Sequence, residues 1–370
     1  MPEAKGRKSA YIPTLDGWRA IAILFVIFYH DALHAVGIFS TRWFIEYGNI
    51  GVDVFFAISG ILICTRLLDD ERVCGRIHLQ SFYVRRAFRI LPPALCYISI
   101  LALLARLLPI PVSSRELFGA IFFCRNYPRL IGLPNDASGW YTSHFWSLAI
   151  EEQFYFVLPA LLLFTPRRFR APILAFLAML IAIGRVIALH YRPWIHIEFH
   201  TEVRIDALFV PALFAVLTFD PHVREIFKKW LRFWPIIVVG VACILPFGNG
   251  TWWRATLIVW GMPCIVLGST LHPQSIFGRI LELSVLRYIG RISYSLYLWQ
   301  QLFFSQRFGP PWQPLGLAQG WPLRLVLTFA CAIASYHLLE SPLSRLGHKL
   351  APSATPGRYD LDPVGKNAVA

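Results

Sequence analysis

The chain has 370 residues, 56% of them hydrophobic and only 15% charged, with a formal net charge of +14. Soluble domains average about 25% charged residues, so an ordinary soluble globule is excluded, and 29 Phe and 13 Trp fit lipid faces and interfaces. The excess Lys and Arg fall in short loops between apolar segments, where membrane orientation requires them, which argues for contact with membrane lipid and no nucleic-acid partner.

Ten apolar segments, each near the roughly 20 residues that cross a bilayer, predict an all-α polytopic membrane protein. They cover 17–37, 50–68, 87–108, 143–164, 171–190, 204–219, 232–247, 252–271, 291–307 and 322–341. Residues 1–16 form an N-terminal segment, 17–345 the transmembrane domain and 346–370 a polar tail that reads as disordered. One set of alternate loops holds Arg72, Arg76, Arg167, Arg168, Arg170, Lys228, Lys229, Arg279, Arg345 and Lys349; the opposite set holds few, such as Arg115, Arg125 and Arg129. The positive-inside rule therefore places both termini in the cytoplasm. No cleavable signal is expected, because the first apolar segment carries ionisable residues and lacks a small-residue cleavage pattern.

That first segment contains Arg19 and His30, with ten residues between them. Ionisable groups in a span are costly and mark functional sites. Eleven steps of about 100° return nearly to the starting azimuth, so both side chains leave one helix face, about 16 Å apart. They are too far apart to touch and are spaced to hold two ends of one extended molecule. The alternative for His30 is a hydrogen bond between helices. His34, one turn on, raises a two-histidine metal site, but no third ligand at useful spacing is visible and no metal is expected. Asp31 points elsewhere on the helix.

The second segment, GVDVFFAISG, sets Asp53 and Ser59 among apolar residues. Before the third, FYVRRAFRILPP carries Arg85, Arg86 and Arg89, the last two at i, i+3 on one face. Guanidinium forks bind phosphates, so the cluster suits a phosphorylated donor such as coenzyme A; the alternative is ordinary anchoring at the membrane surface. The stretch 109–142 is read as external, and its apolar piece GAIFFC as re-entrant. The fourth segment, HFWSLAIEEQFYF, aligns His144, Ser147, Glu151 and Tyr155 along one stripe. Glu151 is the costly member; it serves a site or pairs with an Arg from another span. Arg204 and Asp206 open the sixth span and pair with each other or with lipid headgroups. Seven cysteines without a C-x-x-C pair indicate small core residues, with neither a disulfide framework nor a zinc site.

In their order along residues 11–345, these pieces and GRISYSLYLW near the ninth span resemble the bacterial membrane acyltransferase-3 family, which O-acylates sugars and other hydroxyl compounds. The resemblance implies ten spans in the cytoplasmic (inner) membrane and an acyl-CoA donor, acetyl-CoA being the first choice, with no permanently bound cofactor. It implies a glycan or other hydroxyl acceptor reached from the far side, with Arg19 and His30 required, Arg86 and Arg89 near the donor, and Glu151 within the site. Two departures stand out. Relatives often carry His after YLW, whereas this chain has Gln300 and Gln301, and Pro211 stands where Gly is frequent and is expected to kink the sixth span.

The spacing suggests a donor threaded inward, its phosphates among Arg85, Arg86, Arg89 and Arg19 and its thioester beside His30. His30 then acts as general base or as a nucleophile forming an acyl-imidazole. Glu151 is expected to orient the imidazole, and Ser59 or Ser147 to bind the oxyanion. A proton-coupled transporter using His30, Asp53 and Glu151 as a relay is the rival reading.

Overall fold

The structure, a computed structural model, describes residues 12–31, 48–133, 139–191, 199–244, 252–304 and 314–352. Among these every regular element is helical. The first, α1 (Pro13–Asp31), opens on a proline, whose fixed φ suits a first helical turn. Next come α2 (Ile50–Cys74), ended by Gly75 in the left-handed region, and α3 (Leu79–Leu107). The short α4 (Ser114–Ile121) starts with a reciprocal Ser113–Glu116 capping box. A single turn, Trp140–Ser143, leads into α5 (Phe145–Phe164), followed by α6 (Arg167–Tyr191). A further turn, Thr201–Arg204, precedes α7 (Asp206–Leu217), α8 (Pro221–Trp230), α9 (Trp234–Ile244) and α10 (Trp252–Leu271). The chain closes with α11 (Ile276–Leu281), α12 (Ser284–Arg291), α13 (Ser293–Phe303), α14 (Leu323–Ser335), a π turn at Tyr336–Glu340 and α15 (Ser341–Leu350).

Because lipid is as apolar as a side chain, helices in a membrane associate through close packing at small residues. α1 is buried along Ala20, Ala22, Ile23, Val26 and Ile27. α12 approaches it so closely that a Cβ on Gly290 would fall 1.8 Å from the Asp16 carbonyl oxygen. Gly60 does the same for α2 against α7, where a Cβ would meet the Leu208 carbonyl oxygen at 2.6 Å.

Six described helical stretches are long and apolar enough to cross a membrane, or seven if the bent pair Asp206–Leu217 and Pro221–Cys243 counts as one span. Among the described residues the segments expected at 17–37, 204–219, 232–247 and 291–307 do not qualify alone: α1 carries Asp16 and Arg19, α7, α9 and α13 show 11 or 12 residues, and 32–37, 245–247 and 305–307 lie outside the described residues. Burial explains α1, α7 and α13. A helix enclosed by other helices can be short and polar, because its groups are satisfied by protein rather than exposed to hydrocarbon. α7 stays helical through Pro211. The 116° bend follows at 218–220, where Asp220 accepts hydrogen bonds from the His222 and Val223 amides and Pro221 starts the new helix.

Half of GAIFFC completes α4 and the rest turns away. Phe118, Ile121 and Phe122 are exposed, so the piece lies on the outside of the bundle. α15 crosses the expected domain boundary at 345, so the first residues assigned to the tail are helical, and those beyond 352 lie outside the described residues. Several basic stretches meet at one end of the bundle. Glu71 accepts from Arg170 at 2.6 and 3.0 Å and from Arg167 at 3.3 Å, while Arg85 reaches the Ala351 carbonyl at 3.0 Å. This basic end contrasts with the opposite one, where α1 finishes at His30 and Asp31.

Candidate active site

The central cavity encloses about 900 Å³ including its mouth and is lined from α1, α2, α3, α5 and α13. Helical periodicity puts Ser147, Glu151 and Tyr155 of α5 on one wall, each four residues from the next. α2 contributes Ser59 and Arg66, and α3 contributes Arg86 and Arg89 at i, i+3. Arg19, Glu152, Ser293, Tyr294 and Tyr297 complete the polar lining.

Glu151 is the hub of the wall. Its carboxylate accepts hydrogen bonds from Ser59 and from Tyr155. The Arg86 guanidinium lies over the Tyr155 ring, 4.1 Å from its centroid. Arg86 and Arg89 have Glu152 and Glu340, respectively, within electrostatic reach, yet neither is in a salt bridge among the described residues. Two cations facing an open cavity without a bound carboxylate suit an anionic ligand. Arg19 also holds Asp16 at 2.9 Å.

At the inner end, Ser147 Oγ and Tyr297 OH stand 2.6 Å apart and both donate to the His144 carbonyl, at 3.2 and 2.9 Å. Beyond them lies a histidine layer. The His144 ring packs among Tyr97, Phe145 and Tyr297, and it has His30 within electrostatic reach. The His30 ring meets Trp140 edge to face, with centroids 5.4 Å apart. Trp140 is itself held, its indole N–H shared by the carbonyls of Gln301 at 3.1 Å and Phe304 at 2.9 Å. The Gln301 amide donates back to the Trp140 carbonyl at 2.8 Å and to Ser143 at 3.1 Å. Arg125, expected only as a loop charge, is buried and donates to Thr142 at 3.0 Å, which anchors the turn that presents Trp140 and His144.

The structure thus brings together Arg19, Ser59, Arg86, Arg89, Ser147, Glu151 and Tyr155, and sets His30 and His144 just past the cavity. Several expectations change. Glu151 accepts from Ser59 and Tyr155, neither of them a histidine. Arg85 sits beside Asp70 at 3.8 Å and the Ala351 carbonyl, outside the cavity lining, because it leaves α3 on a different azimuth from Arg86 and Arg89. Arg204 and Asp206 do not pair with each other, since residues two apart on a helix face different neighbours. Arg204 binds Asp53 at 2.8 Å, and Asp206 takes a two-pronged contact from Arg185 at 2.9 and 2.7 Å. Asp31 binds Arg324 across the bundle. Of the three residues of the relay reading, Asp53 is held by Arg204 and Glu151 by Ser59 and Tyr155. Among the described residues no group of three or more potential ligands is placed to hold a metal, and His34 lies outside them. All seven cysteines are free.

Arg66, Glu152, Tyr294 and Tyr297 were not singled out from the sequence. Arg66 was legible, two turns from Ser59 on one helix face, and both tyrosines lie within GRISYSLYLW.

A helical bundle with membrane-length spans and a cavity lined by guanidinium groups, carboxylates and hydroxyls has the features of a membrane enzyme. The chain belongs to the acyltransferase-3 family, whose model, described as "Acyltransferase domain", matches residues 12–338. It is 29% identical over 363 residues to the protein named O-acetyltransferase OatA of Staphylococcus aureus (strain NCTC 8325 / PS 47), covering 92% of this chain and 58% of that protein. It is also 29% identical over 369 residues to the putative O-acetyltransferase SACOL0978 of Staphylococcus aureus (strain COL), covering 93% and 59%. The chain therefore spans less than two thirds of the length of these relatives. No solved structure matches it.

Proposed function

We propose that the protein is a membrane O-acetyltransferase that moves the acetyl group of cytoplasmic acetyl-CoA to a hydroxyl of a cell-surface or exported glycan. The names of the relatives support O-acetyl transfer. The observation that carries the reading is the cavity, with Arg86 and Arg89 lining its basic end outside any salt bridge among the described residues and His30 beyond the inner end.

The phosphates of coenzyme A pair with Arg86, Arg89 and Arg66, and the pantetheine arm runs inward past Glu151. The thioester carbonyl arrives at the inner end, where Tyr297 or Ser147 exchanges the His144 carbonyl for the developing oxyanion. His30 takes the proton of the acceptor hydroxyl, and the oxygen attacks the carbonyl carbon. The tetrahedral intermediate collapses, the C–S bond breaks and the thiolate regains the proton from the imidazolium. In a variant of this scheme His30 itself carries the acetyl group as acyl-imidazole between two such steps. Glu151 holds the Ser59 and Tyr155 hydroxyls in the wall along which the arm passes.

Two measurements test this. Deleting the gene should remove O-acetyl groups from a surface glycan, and His30→Ala, restored in its place, should leave them absent while the protein still inserts. A folded His30→Ala protein with substantial turnover overturns the assignment, because losing an essential base costs about 10²–10⁴ in rate.

A further inference from the structure

We infer that Arg324 is the positioning residue for His30. This rests on His30 acting as the base proposed above.

Arg324 opens α14 almost wholly buried, its side chain 2% exposed. A guanidinium enclosed in a membrane bundle is costly and survives only where paired and put to use. Two arms run from it to His30. The first is its ion pair with Asp31, the residue that follows His30 at the end of α1. The pair ties the last turn of α1 to α14 and so fixes the backbone that carries the imidazole. The second arm starts where the guanidinium lies over the Phe304 ring, 5.6 Å from its centroid. Phe304 accepts the Trp140 indole N–H at 2.9 Å, and the Trp140 ring meets the His30 ring edge-on at 5.4 Å. Backbone and ring are thus fixed from one cation. Glu151, the carboxylate first expected to orient the imidazole, is occupied elsewhere. Positioning the base this way matters because a misplacement of about 1 Å can cost about 10²-fold in rate.

The test uses the full chain in proteoliposomes supplied with acetyl-CoA and the surface glycan that loses its O-acetyl groups when the gene is deleted, reading thiol release. Replacing a buried ion pair by apolar residues often leaves stability unchanged, so the decisive variant is the double substitution Arg324→Met with Asp31→Leu. A folded double variant whose kcat falls about 10²-fold, with KM for acetyl-CoA unchanged, supports the inference. One that keeps kcat within about threefold overturns it. If the double variant does not fold, Arg324→Lys decides, since it keeps the charge but loses the planar fork. A lowered kcat with a displaced pH profile supports positioning, and a wild-type kcat and profile overturn it. His30→Ala run alongside separates the two levels. If it turns over, the assignment of the base fails and the positioning role with it; if it is dead while the Arg324 variants behave as wild type, only the positioning role falls.

Discussion

Arg86 rests its guanidinium on the ring of Tyr155, whose hydroxyl donates to Glu151. One tyrosine thus joins the cationic mouth of the cavity to its half-buried carboxylate, using its face for one and its edge for the other.

The two contacts can be separated. Tyr155→Phe should keep the ring under Arg86 and preserve affinity for acetyl-CoA while lowering turnover, because Glu151 loses a donor. Tyr155→Leu should lose both. Glu151→Gln should lower turnover at least about tenfold at unchanged acetyl-CoA affinity, as hydrogen bonds to a charged group contribute about 1.5–3 kcal/mol. Steady-state kinetics with a parallel binding titration distinguish these outcomes.

Arg86→Ala and Arg89→Ala should each weaken binding of a nonhydrolysable acetyl-CoA analogue about tenfold or more, and rising salt should weaken binding to the wild type. Arg85→Ala should bind normally, because Arg85 is engaged with Asp70 and Ala351. Equal effects at all three positions would mean that the cluster acts only as a diffuse surface charge.

Breaking a buried ion pair strands a charge. Asp53→Asn or Arg204→Met should destabilise the protein by about 3–5 kcal/mol, and an apolar double replacement should recover most of that loss. Thermal unfolding in detergent reads the difference.

Gly60→Ala would drive a Cβ to 2.6 Å from the Leu208 carbonyl oxygen and 2.8 Å from Pro211 Cβ. Separating α2 from α7 should cost about 1–3 kcal/mol and displace Ser59 from Glu151, so activity should fall with stability. Gly240→Ala is the control, since nothing lies within 4 Å of its added methyl, and it should be neutral or mildly stabilising.

Transfer should be vectorial. In sealed, orientation-sorted vesicles, acetyl-CoA supplied on the side of the basic end should label a glycan present only on the other side. A coenzyme A-sized dye checks for leakage. Labelling only when both substrates share one compartment would mean that acceptor and donor enter the same mouth.

Much of the site can be read along single helices. The alignment of Ser147, Glu151 and Tyr155 and the i, i+3 pairing of Arg86 with Arg89 follow from periodicity within one helix, and the structure keeps both in one cavity. Arg19 and His30 share an azimuth in the same way, yet Arg19 lines the cavity and His30 is not among its lining residues.

By itself the sequence determined the membrane class, the family and the azimuth of each polar residue on its own helix, because composition and the 3.6-residue period are local properties. Only the tertiary structure decided the partners. Asp53 found Arg204, Asp206 found Arg185, Asp31 found Arg324 and Glu151 found Ser59, each across a gap in sequence. It also decided which helices face lipid, and so why α7 and α13 can be short. An azimuth tells where a side chain points, whereas its partner depends on which helix packs there, and that is set by close approaches such as those at Gly60 and Gly290.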